Sequence, residues 1–123
     1  MRSGVFPCGF ALLVLAGCGG GGNESGPPDS LQATPASVGV RGPLGSCFNG
    51  TGPTVFIFGG APPYKLRNSA PLAMTIDKTE LQRSGDGFVV TFINDFCLDQ
   101  LPITVEDTMG RVLEVPIKNE QGM

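Results

Sequence analysis

Apolar positions along the C-terminal three quarters of the chain fall into short β-rich runs, broken by Gly, Pro, Asn and Asp. Ala36–Val40, following Pro35, predicts a first strand. Thr54–Phe58 is β-branched and aromatic throughout, which suits a strand. It shows no polar alternation, so it is expected to be covered on both faces or to lie near a sheet centre. Gly59–Pro63 predicts a turn, because glycine permits unusual φ and proline lacks a ladder donor.

The later runs alternate. Tyr64–Arg67 places Tyr64 and Leu66 inward. Leu72–Ile76 places Leu72, Met74 and Ile76 on one face, and Thr79–Arg83 reads as a loop. Gly85-Asp86-Gly87 turns the chain into Phe88–Ile93, the strongest strand signal. Leu101–Glu106 and Arg111–Lys118 predict a final pair joined at Asp107–Gly110, with Gly110 at positive φ. Leu113, Val115 and Ile117 face inward, Glu114 and Lys118 outward, and Pro116 predicts an edge position.

About six or seven short strands with turn signals every ~8–12 residues read as an all-β, antiparallel, immunoglobulin-like sandwich. No helical pattern separates the strands, which argues against a parallel α/β fold.

The first quarter is different. Arg2 precedes a short apolar run, Val5–Ala16, too short to span a bilayer, which takes roughly 20 apolar residues. Ala16 and Gly17 are the small residues of a leader-cleavage site. Gly19–Pro28, GGGGNESGPP, cannot bury a core and reads as a flexible linker. The expected organisation is a leader over 1–17, a linker over 18–30 and one domain over 31–123.

Leu15-Ala16-Gly17-Cys18 resembles the lipobox of bacterial lipoproteins. That resemblance implies cleavage before Cys18, lipidation of its thiol and attachment to a membrane. It implies a diacylglyceryl group, usually with an N-acyl chain such as palmitate. More than one chain is what stable anchoring takes. Gly19, where Asp would signal inner-membrane retention, implies an outer-membrane address in the cell envelope.

Composition narrows the chemistry. The net charge is −3, and losing Arg2 with the leader leaves seven basic against eleven acidic residues, a net −4. An acidic chain without basic clusters argues against nucleic-acid partners. The chain has no His, which excludes His-based triads, His-ligated zinc and a His general base. Trp is absent and Tyr64 is the only tyrosine. Neither a glycine-rich phosphate loop nor GxSxG or CxxC occurs, so no cofactor is expected. Asn23 and Asn49 fit the glycosylation sequon and are read as chance matches.

Cys47 and Cys97 form an even pair in an exported domain, which predicts a disulfide. Closing a loop of about 50 residues contributes roughly 4 kcal/mol in the chain-entropy model. Two free thiols, or one redox-active thiol, are the alternatives.

Phe56-Ile57-Phe58-Gly59-Gly60-Ala61-Pro62-Pro63-Tyr64 resembles the strand–GGxPPY–strand signature of bacterial immunoglobulin-like domains related to the PKD group. Ile103–Arg111 resembles their closing V-x-D-x-x-G hairpin. The resemblance implies a spacer, adhesion or protein-binding module without catalytic residues. The expected function is therefore a non-enzymatic, lipid-anchored envelope protein with an envelope-protein partner. One alternative is a Ca²⁺-binding module using Asp95, Asp99, Glu106 and Asp107. Another is a small hydrolase drawing on Lys65 or Lys78, for which no residue spacing supplies a pair.

Overall fold

A computed structural model describes residues 30–123. The leader, the lipobox with Cys18 and the linker up to Asp29 lie outside the described residues. In chain order the strands are β1 (Gln32–Thr34), β2 (Val38–Leu44), β3 (Gly50–Phe58), β4 (Tyr64–Asn68), β5 (Met74–Ile76), β6 (Glu80–Leu81), β7 (Gly87–Phe92), β8 (Leu98–Glu106) and β9 (Val112–Gly122). Among the described residues there is no helix.

The strands form two sheets, β2-β9-β8-β4-β6 and β1-β3-β7-β5. The nine segments make seven passes across the molecule. β1 and β2 are one pass that changes sheet at Pro35-Ala36-Ser37. β5 and β6 are another, changing sheet at Asp77-Lys78-Thr79. Counted this way, the passes are the seven strands of an immunoglobulin-like sandwich: the first, second, fifth and fourth in one sheet, the seventh, sixth and third in the other. Each open side of the sandwich is closed by a pass belonging to both sheets.

Alternation along the strands builds the core. Val55 and Ile57 of β3, Phe88, Val90 and Phe92 of β7, and Met74 of β5 point inward from one sheet. Val115 and Ile117 of β9, Ile103 and Val105 of β8, and Tyr64 and Leu66 of β4 meet them from the other. Fully burying each aliphatic or aromatic side chain contributes about 1.5–3 kcal/mol, so this interleaved layer dominates stability. The inward pattern expected for Tyr64–Arg67, Phe88–Ile93 and the last strand is present, and Gly110 has φ 83°.

Several expectations need correction. Thr54–Phe58 does lie near a sheet centre, second of four strands, but it is not covered on both faces: Val55 and Ile57 are buried, while Phe56 and Phe58 remain 42% and 41% exposed. Phe56 lies opposite Gly87, where an added Cβ would stand 2.8 Å from its ring. The outer aromatic thus rests over a residue with no side chain, and an all-apolar run conceals an ordinary alternation. Leu72 does not join Met74 and Ile76. It is 71% exposed in the turn before β5, which Pro71 delays. Thr79–Arg83 is not wholly a loop: Glu80–Leu81 pairs with β4, and Leu81 is buried. The first strand begins earlier, with Gln32–Thr34 paired to β3. The sheets are not purely antiparallel, because β2 runs parallel to β9.

Pro116 lies in a strand with neighbours on both sides, and the register explains how. Pro116 faces Pro102 across the β8–β9 ladder. Neither ring carries an N–H, so this is a non-hydrogen-bonded pair, and each missing donor faces away from the other strand. On those outer sides the next strands begin one residue later, at Ile117↔Val38 and Ile103↔Asn68. Up to Pro116, β9 is an edge; beyond it, β9 is internal.

Candidate functional site

The strands give the sandwich two unlike ends. The chain enters beside the Gly59–Pro63 loop, where Gln32 pairs with Phe58. The Asp107–Gly110 turn shares this entry end. The opposite, far end holds the 45–49, 69–73 and 93–97 connections and the end of β9. Among the described residues two polar side chains are buried, Asp107 at the entry end and Asn119 at the far end.

Asp107 ties the two resemblance segments together. One carboxylate oxygen, Oδ2, accepts the Ala61 N–H at 2.9 Å. The other, Oδ1, accepts from Met109 and Arg111 at 3.0 and 2.8 Å. Thr108 donates both its N–H and its hydroxyl to the Ala61 carbonyl. Tyr64 packs its ring in the core and donates its hydroxyl to the Gly59 carbonyl at 2.5 Å. Gly60, at φ 60°, lies so close to Asp107 that an added Cβ would meet Oδ2 at 2.7 Å. The double glycine, the prolines and the aspartate therefore form one packed junction. Burial by itself raises the Asp107 pKa. The N–H groups of Ala61, Arg111 and Met109, with the Arg111 charge 3.7 Å away, outweigh burial and hold the carboxyl below its ordinary value.

At the far end Cys47 and Cys97 form a disulfide, with Cα atoms 5.4 Å apart. It joins the β2–β3 connection to the β7–β8 connection. The Asn119 side chain accepts the Phe48 N–H at 2.8 Å and donates to the Phe48 and Phe96 carbonyls at 2.9 and 3.2 Å. Asn49 and Asp95 bond across the same gap, Asn49 accepting the Asp95 N–H and donating to its carboxylate. Asn94 reaches the Leu72 carbonyl at 2.8 Å.

This bracing frames an open, largely apolar cleft of about 460 Å³ between the 69–73 turn and the start of β8. Leu72, Phe96 and Leu101 line it and are 71%, 48% and 40% exposed. β4 pairs with β8 only from Ile103 onward, so no strand covers Leu98–Leu101 on that side. A bulge between Leu98 and Leu101, with Gln100 at φ 60°, bends the strand there.

The four carboxylates weighed for Ca²⁺ do not converge. Asp95 and Asp99 lie at the far end, Glu106 and Asp107 at the entry end. Glu106 pairs with Arg67 at 3.3 Å on the surface. Among the described residues no group of three or more His, Cys, Asp or Glu side chains is placed to hold a metal ion. Lys65 is exposed on β4, and Lys78 donates to the Gly87 carbonyl.

Sequence reasoning did not identify Asn119 or the cleft. Asn119 had a signal, since it continues the inward register of Val115 and Ile117 two residues further on. The cleft had none, because its walls come from two separate connections and the start of β8. No protein-family model matches the chain, and no curated protein sequence matches it.

Proposed function

We propose that this chain is a lipid-anchored, non-catalytic protein of the bacterial cell envelope that presents a single immunoglobulin-like domain for protein binding. Leu15-Ala16-Gly17-Cys18, placed directly after the apolar run Val5–Ala16 and before a glycine-rich stretch, carries this reading. Cys18 would bear the lipid, with Gly19 favouring the outer membrane. The resemblance of Phe56–Tyr64 and Ile103–Arg111 to PKD-related domains supports a binding or spacer role.

The geometry supports the same assignment. The chain enters the sandwich at one end, and the apolar cleft opens at the other. A tether ending at Ser30 would hold the entry end toward the membrane and turn the cleft away from it. The disulfide suits an oxidising compartment.

Replacing Cys18 with Ser and fractionating the cells tests the anchor. The wild-type chain is expected with the membranes and the variant in the soluble fraction. A variant that still sediments with membranes overturns the reading.

A further inference from the structure

We infer that the outer face of the β1-β3-β7-β5 sheet pairs with the same face of a second copy of this chain. Pairing on a shared membrane rests on the anchored reading above; the pairing itself does not.

The two sheets present unlike surfaces. Outward positions of the five-stranded sheet carry charge on every strand: Arg41 on β2, Glu114 on β9, Glu106 on β8, Lys65 on β4 and Glu80 on β6. Outward positions of the four-stranded sheet carry none. Thr34, Phe56, Phe58, Val89, Thr91 and Thr75 make up most of that face, and both phenylalanines are exposed. Asp77 and Lys78 stay at its β5 margin, where Asp77 accepts the Val89 N–H and Lys78 donates to the Gly87 carbonyl. An uncharged centre within a polar rim has the anatomy of an interface.

Charge and shape select a second copy. A twofold interface sets a patch against itself, so a charged group near the axis meets its own like. The four-stranded sheet is free of that cost, and the five-stranded sheet is not. Two sheets of equal right-handed twist also match in shape, packing face to face at about −30°. Area sets the strength. Four strands about 4.8 Å apart and six residues of about 3.4 Å give about 400 Å² of plane per copy, so a pair covers about 800 Å². Stable interfaces begin near 1,200 Å², so the pair is reversible, with a Kd on the order of 0.1 mM, and dilute chains are single. It also stops at two, because the remaining sheet face of each copy is charged. With the twofold axis along the strands, both entry ends lie on one side and both far-end clefts stay open. Two chains tethered to one membrane meet in that alignment, and confinement raises their effective concentration.

Sedimentation equilibrium of the full chain carrying Cys18→Ser, from about 10 µM to about 1 mM, tests this. The apparent mass is expected to rise toward twice that of one chain. Phe58→Lys should weaken pairing about tenfold or more, by setting like charges against each other. Glu114→Lys, on the other sheet, should leave it unchanged. Both side chains are exposed, so both variants should fold, as unchanged thermal unfolding of the dilute chains will show. NMR signals of 54–58 and 87–91 are expected to shift with concentration. Intermolecular NOEs should join the entry-end residues of the two copies, and NOEs from Phe58 to Thr51 of the other copy would overturn the parallel alignment. A chain that stays single at about 1 mM, or a pair that Glu114→Lys breaks and Phe58→Lys does not, overturns the proposal. A chain that pairs but never sediments with membranes overturns only the anchor. A membrane-bound chain whose Cys18→Ser form stays single overturns only the pairing.

Discussion

Asp107 and Ala61, 46 residues apart, hold each other through complementary bonds: the carboxylate accepts the Ala61 N–H at 2.9 Å, and the neighbouring Thr108 N–H returns to the Ala61 carbonyl at 2.9 Å. Asp107→Ala would leave the N–H groups of Ala61, Met109 and Arg111 without their acceptor in a buried setting. It is expected to lower the Tm clearly. Glu106→Ala, one residue away at an exposed ion pair, should change it little. Differential scanning calorimetry of the two variants makes the comparison.

Asp107 also shapes the acid limb of stability. Its folded pKa lies below the ordinary 3.8, so its contribution is fully present above that value and is lost as pH falls toward the folded value. Asp107→Asn keeps the shape but not the charge. Its Tm is expected to fall less steeply than wild type as the solution is acidified below about pH 4. Parallel slopes in a Tm–pH series would remove Asp107 from the acid response.

Reducing the Cys47–Cys97 bond should cost about 2–5 kcal/mol of unfolding free energy. Denaturant titrations with and without reductant measure it, and non-reducing mass spectrometry should find the two cysteines in one linked peptide.

Asn119→Ala removes the partners of the Phe48 N–H and of two carbonyls at once. A buried group left unsatisfied costs about 1–3 kcal/mol, and these groups are part-buried, so the substitution is expected to cost stability, but less than loss of the disulfide it sits beside. Chemical denaturation gives the comparison directly.

Neighbouring residues of β3 should behave oppositely. Ile57→Ala opens the core and is expected to cost about 2–5 kcal/mol. Phe58→Thr, on the half-exposed outer face, should cost far less. Similar losses at both positions would mean that the outer face is covered in solution.

Much of the sandwich was legible because inward side chains recur every second residue. Phe88-Val90-Phe92 and Val115-Ile117 state their faces by composition alone. Thr54–Phe58 did not, because Phe56 finds shelter over Gly87, a relationship between strands that no local window contains. Leu72 failed for the opposite reason: Pro71 and a turn break a pattern that looked continuous. The disulfide was expected from an even cysteine pair in a domain read as exported, and Cys47 and Cys97 are joined. The Asp107 junction was visible only as two separate signatures, since its meaning lies in bonds between residues 46 positions apart. The cleft is legible only in three dimensions.

The two passes that change sheet have a consequence for how the domain meets its neighbours. Among the described residues the outermost strands are β1, β5 and β6, each three residues or fewer, and β2, which ends at Leu44 with Cys47 and Phe48 folded against Gly42. Such margins offer almost nothing for another chain to zip onto. Molecules packed side by side would slide past one another without fusing into continuous sheets, so density would not become aggregation. Recognition of other proteins is then left to the loops that crown the sandwich, where the bonds of Asp107 and Asn119 confine variation to residues outside those two junctions.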